Sequence, residues 1–183
     1  MKAHEHSKHA VLAASLLALL FLALPGNAQE DKVMNPQDVT EAALVDALAP
    51  AAPARTRSIR VEAEGAAPKR PSASLLITFE TNSARLTQQA RQSLGVVGQA
   101  LGSAKLAPFR FAIEGHADPR GAPAANQQLS QARAESVREY LVKNGGIDDG
   151  RLQAVGKGAS ELMNKTVPAA PENRRVTIVN LDR

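Results

Sequence analysis

Residues 115–138 read GHADPRGAPAANQQLSQARAESVR. The stretch describes the end of a strand, a tight turn and the opening of a long amphipathic helix. Asp118-Pro119-Arg120-Gly121 has Asp, Pro and Gly at the positions a type I turn favours. Asp118 therefore stands at the exit of a strand, and its carboxylate can serve the amides of its own turn or face a ligand at the strand's carboxyl end. A helix is predicted from about Ala124 to Asn144, with Leu129, Ala132, Val137, Tyr140 and Leu141 marking its apolar arc. At 100° per residue Arg133 falls in the middle of that arc, between Leu129 and Val137.

A guanidinium in that place needs an anionic partner or a cavity, because an unpaired buried charge is costly. Three readings are open. Arg133 pairs structurally with Asp118 or Glu114, or its stem carries the charge out to solvent, or it faces a ligand. In the last case Asp118 offers a carboxylate for an ammonium, and Arg133 a planar fork for a carboxylate. Together they would receive the zwitterionic centre of an amino acid.

Elements before and after the stretch complete a sheet. Ser74–Phe79 (SLLITF) is a short apolar run of strand length. Glu80-Thr-Asn-Ser makes a turn, and Thr87 is placed to N-cap a helix whose Ala90, Leu94, Val97 and Leu101 share one face. Gly102 ends that helix, while Gly95 and Gly98 within it are expected to allow a close approach to the sheet. Phe109, Phe111 and Ile113 alternate with more polar residues as a second strand, after Pro108. Leu152–Gly156 and Arg175–Leu181 supply two more strands, the latter preceded by Asn173-Arg174. The order βαβαββ predicts a two-layer α/β sandwich with its helices on one side of a mixed sheet.

The remainder of the 183 residues delivers this domain. Lys2 and Lys8 precede a fifteen-residue apolar stretch, Ala10–Leu24, then Pro25 and the small residues Gly26-Asn27-Ala28. That is the pattern of a signal peptide over residues 1–28, and it is shorter than the roughly 20 residues of a membrane-spanning helix. An uncleaved anchor is the alternative. Residues 29–72 hold a short helix near 35–48, mobile or docked, then an Ala/Pro/Arg linker and a weak strand pattern at Ser58. The compact domain is expected over 73–183.

Composition removes several function classes. With no Cys there is no disulfide, thiolate metal site, Cys nucleophile or lipidated Cys. Past the leader His116 is the single histidine, so no His cluster exists for zinc, and no cofactor is expected. Alternating strands and aromatic girdles sufficient for a membrane barrel are missing. The net charge of +4 is too diffuse to argue for nucleic acid.

Three motifs carry a resemblance: GHADPRG, then NQQLSQARAESV, then PENRRVTI, with ITFETNS before them. In this order and spacing they resemble the OmpA-like peptidoglycan-binding domain over about residues 74–181, with GHAD closer to its Pal branch. The resemblance implies noncovalent binding of the meso-diaminopimelate side chain of cell-wall stem peptides. It carries Asp118 and Arg133 over as the main contacts, with Asn82, Leu129 and Arg174 lining the cleft. It further implies a periplasmic, wall-associated protein without catalytic residues. Residues 29–72 would be free to meet an envelope or outer-membrane partner. The less favoured alternative is a wall-active hydrolase using His116 and Asp118, for which no nucleophile or metal set is evident.

Overall fold

The computed structural model describes residues 33–50 and 69–182. In chain order these form β1 (Val33–Met34), α1 (Glu41–Leu48), β2 (Ser72–Leu75), α2 (Gln88–Gly102), β3 (Phe111–His116), α3 (Pro123–Lys143), β4 (Leu152–Gly158) and β5 (Val176–Asn180). The strands lie in the order β1-β2-β5-β3-β4. β1 runs parallel to β2 and β3 parallel to β4, while β5 is antiparallel to both β2 and β3. From β2 onward this is the predicted βαβαββ sandwich, with helices layered over one face of an open mixed sheet.

Register explains which side chains meet the helices. Ile178 stands opposite both Ala73 and Ile113, and Phe111 opposite Leu152. These residues are buried together with Leu94, Val97, Leu101, Val137 and Leu141 from the helices. Thr87 caps α2 by accepting from Ala90 N at 3.1 Å.

The first strand pattern extends beyond the ladder. Ser74–Phe79 reads as one apolar run, yet pairing ends at Leu75, because its partner β5 begins only at Val176 opposite it. Ile77 remains buried, and Phe79 forms an isolated antiparallel bridge with Leu86. The glycines of α2 also act differently from expectation. A Cβ on Gly98 would lie 3.1 Å from Gly145 Cα, in the turn after α3, while one on Gly95 would meet nothing within 4 Å. The close approach is thus helix to turn rather than helix to sheet.

The N-terminal helix is docked. Thr40 caps it through Ala43 N at 3.2 Å, and Leu44 and Leu48 are fully buried against the common core. The buried Asn180 side chain donates to Leu48 O at 2.9 Å, tying α1 to the last strand. β1, not expected from the sequence, adds an edge to β2. The export leader and the strand pattern at Ser58 lie outside the described residues.

Candidate functional site

The helix that carries Arg133 packs through small residues in its first half and through larger ones further on. Its buried positions are Ser130, Ala134, Val137 and Leu141. These centre about 80° around the helix from the arc expected of Leu129, Ala132, Val137, Tyr140 and Leu141. A Cβ on Gly115 of β3 would fall 2.2 Å from Ser130 O, and one on Gly156 of β4 would fall 2.7 Å from Gln131 N. Backbone therefore meets backbone, and no large side chain fits between. Arg133 consequently sits on the flank of the buried stripe, about 70° from its axis, and not in the middle of the core. Leu129 is half-buried and lies further round.

From that flank Arg133 reaches the turn after β2. Its Nε donates to Ser83 O at 3.1 Å, and its guanidinium lies over the Phe79 ring, 4.9 Å from the centroid. Ser83 belongs to the turn in which Asn82 adopts φ +49°, a left-handed conformation that Asn tolerates. Among the described residues Arg133 makes no carboxylate contact within 4 Å. The structural pairing with Asp118 or Glu114 is therefore absent. Burial lowers its pKa, the nearby Arg174 charge lowers it further, and Asp118 opposes both.

Asp118 lies just past β3 and is 6 % exposed. No backbone hydrogen bond closes residues 118–121 as a type I turn. Instead the Asp118 carboxylate accepts from Arg120 N at 3.1 Å, and Asn126 Nδ2 holds the carbonyls of Asp118 and Arg120 at 3.1 and 3.0 Å. Gly121 completes the bend at φ +90°. Arg120 also returns its side chain to the carboxylate, through Nε to Oδ1 at 3.1 Å and Nη2 to Oδ2 at 2.8 Å. Arg174 Nη1 reaches the same Oδ2 at 3.0 Å. The Arg120 hydrogen bond, with help from Arg174 and against the cost of burial, holds Asp118 down at a pKa of about 2.

Arg174 owes its place to its neighbour. Asn173 is fully buried, accepts from Met163 N and Asn164 N at 2.8 and 2.9 Å, and donates to Asn164 O and Pro168 O at 2.8 and 2.9 Å. One side chain thus organises the loop between β4 and β5, and Arg174 emerges from it outside the strand. Phe79, Arg133, Arg174, Arg175, Pro171 and Leu76 help to line a cavity of about 210 Å³. Its charged lining is cationic. Asn82 is exposed, and neither it nor Leu129 lines this cavity.

The structure thus joins Asp118 directly to Arg174 and sets Arg133 within their electrostatic reach. Sequence reasoning missed three contributors. Arg120 was visible only as a turn residue, Phe79 only as a strand residue, and Asn173 only as part of a motif. His116 is 3 % exposed on β3, with both ring nitrogens free of hydrogen bonds, and burial pushes it down to about 4. Its Nε2 lies 4.0 Å from Glu114 Oε2. Lys157 bridges Glu114 and Glu161 at 3.3 and 2.9 Å, so an ammonium already stands among the carboxylates near His116.

Comparison with known proteins gives the family and the fold. The sequence profile described as the OmpA family matches residues 78–175, more than half of the chain. Outer membrane porin F of Pseudomonas aeruginosa is 46% identical over 66 residues, 35% of this chain and 19% of the porin. The outer-membrane lipoprotein YfiB of the same organism is 34% identical over 105 residues, 56% of this chain and 61% of the lipoprotein. The chain thus spans less than two thirds of the length of either relative. Two solved structures share the fold. The periplasmic domain of Helicobacter pylori MotB superposes with a TM-score of 0.52 at 16% identity, covering 63% of this chain and 78% of that one. The OmpA-like domain of FopA1 from Francisella tularensis gives 0.51 at 20% identity, covering 58% and 69%.

Proposed function

The chain belongs to the OmpA family, and from that premise we propose that it is a noncatalytic binder of peptidoglycan. In this reading the meso-diaminopimelate centre of a stem peptide is held between Asp118 and Arg133. The observation that carries it is the state of Arg133: a half-buried guanidinium without a carboxylate partner among the described residues, lining a cationic cavity whose Arg174 is bound to the ionised Asp118, itself outside the lining. The ligand carboxylate meets the fork of Arg133 with Arg174 nearby, and the ligand ammonium meets Asp118. Leu129 and Asn82 stand at the margin in this reading, and Phe79 holds Arg133 from below.

No bond is made or broken. The hydrolase alternative needs a base paired with a nucleophile or a metal set, whereas His116, although it lines the cavity, is 3 % exposed and neither of its ring nitrogens has a hydrogen-bond partner among the described residues. Binding of this kind anchors the protein reversibly to the wall in the periplasm, where the leader would send it. Among the described residues no helix is long and apolar enough to cross a membrane. Within residues 29–72, α1 is committed to the core, so contact with an envelope or outer-membrane partner falls to the linker that follows it.

The test is a heteronuclear NMR titration of the protein with meso-diaminopimelic acid. Shifts concentrated at Asp118, Arg133 Nε, Ser83 and Arg174 are expected. Absence of shifts there at millimolar ligand, with wall binding intact, would move the site elsewhere.

A further inference from the structure

The carboxylate of Asp118 is full. Oδ1 accepts from Arg120 N and Nε, both at 3.1 Å, and Oδ2 accepts from Arg120 Nη2 at 2.8 Å and Arg174 Nη1 at 3.0 Å. An ionised carboxylate has about four acceptor positions. An ammonium arriving at Asp118 therefore finds none vacant and must take one from a guanidinium.

The two guanidiniums are unequally held. Arg174 shares its Nη1 with Ala169 O at 2.9 Å, and its backbone belongs to the loop fixed by Asn173. The Arg120 side chain is 67% exposed, and Asp118 is its sole hydrogen-bond partner among the described residues. Its backbone is pinned separately, by the Asp118 carboxylate on its N–H and by Asn126 on its carbonyl. The side chain can therefore swing into solvent while the turn stays in place.

We propose that Arg120 is a displaceable counter-ion: it occupies Asp118 in the empty site and leaves when a ligand ammonium arrives. This rests on the reading of the cleft as a diaminopimelate site. Binding is then an exchange of cations on one carboxylate, and Arg120 sets the affinity by competing from two residues away. It also favours ligands that bring their own cation, because an uncharged group replacing the guanidinium leaves the buried carboxylate with Arg174 as its one remaining ion-pair partner.

Calorimetric titration of the full chain tests this. The probes are the tripeptide L-Ala-γ-D-Glu-meso-diaminopimelate and the analogue in which 2-aminopimelate keeps the distal carboxylate and lacks the distal amine. Arg120→Met, at an exposed position, is expected to bind the diaminopimelate tripeptide about fivefold tighter than wild type. Its affinity for the aminopimelate analogue is expected to be unchanged or lower. Equal or weaker binding of the diaminopimelate tripeptide, or equal tightening for both probes, overturns the role of Arg120. Asp118→Asn separates the two ideas: if it binds the diaminopimelate tripeptide like wild type, the site itself is wrong and the inference falls with it. If Asp118→Asn loses binding and Arg120→Met gains none, only the inference falls.

Discussion

Arg174 Nη1 lies 3.0 Å from Asp118 Oδ2, joining the approach to β5 to the exit of β3 across 56 residues. The contact carries one of the four hydrogen bonds on that carboxylate and places a second cation beside Arg133. Arg174→Ala should therefore weaken retention on purified peptidoglycan several-fold while leaving the fold in place. The Arg174 side chain is partly exposed, and an exposed ion pair contributes about 1 kcal/mol or less. Cosedimentation and a thermal melt on the same sample separate the two effects. A large fall in Tm would mark Arg174 as a structural residue.

The contact between α3 and the sheet makes a second prediction. Gly115→Ala places a methyl 2.2 Å from the Ser130 carbonyl oxygen, where only backbone can move. Destabilisation of about 3 kcal/mol is expected, at the upper end of overpacking costs. Gly95→Ala in α2 meets nothing within 4 Å and should stabilise by up to about 1 kcal/mol through helix propensity. Urea denaturation of the two variants measures both signs.

Acid should reveal His116. Its folded pKa is about 4, below the ordinary 6.5, because burial disfavours the charged ring and Arg175 adds to this, against the pull of Glu161. A lowered histidine gives the unfolded chain more bound protons between these values. Stability is then complete above pH 6.5 and falls as pH drops toward 4, by about 3 kcal/mol. Asp118, held near 2, contributes loss only below about pH 4. His116→Gln should flatten the slope between pH 6.5 and 4 in denaturant titrations. An unchanged slope would assign it to other groups.

The docking of α1 is equally open to measurement. Leu44 has no exposed surface, and Leu44→Ala is expected to cost about 2–5 kcal/mol by cavity formation. A cost below 1 kcal/mol would mean that α1 contributes little to the core in solution.

Much of this arrangement was legible in the amino-acid sequence. Thr87 as a cap, Ala90 to Leu101 as one face, and Phe111 and Ile113 as inward residues follow from local periodicity, which records burial whenever large apolar side chains do the packing. The same rule displaced the reading of α3, where Ser130 and Ala134 pack against Gly115 and leave no hydrophobic signal. The apolar arc marks Arg133 as unusual but misplaces the axis: Arg133 sits at the edge of the core, stacked on Phe79. The Asp118–Arg174 contact and the loop centred on Asn173 depend on chain reversal over long separations, and no periodicity encodes them. Arg120 was hidden by the turn propensity of its own neighbours.

In this arrangement Asp118 and Arg133 together hold the wall. The decisive experiment is cosedimentation of wild type, Asp118→Ala and Arg133→Ala with purified peptidoglycan, each verified as folded by circular dichroism. Wild type is expected in the pellet and both variants largely in the supernatant. Folded variants that pellet as fully as wild type would contradict it.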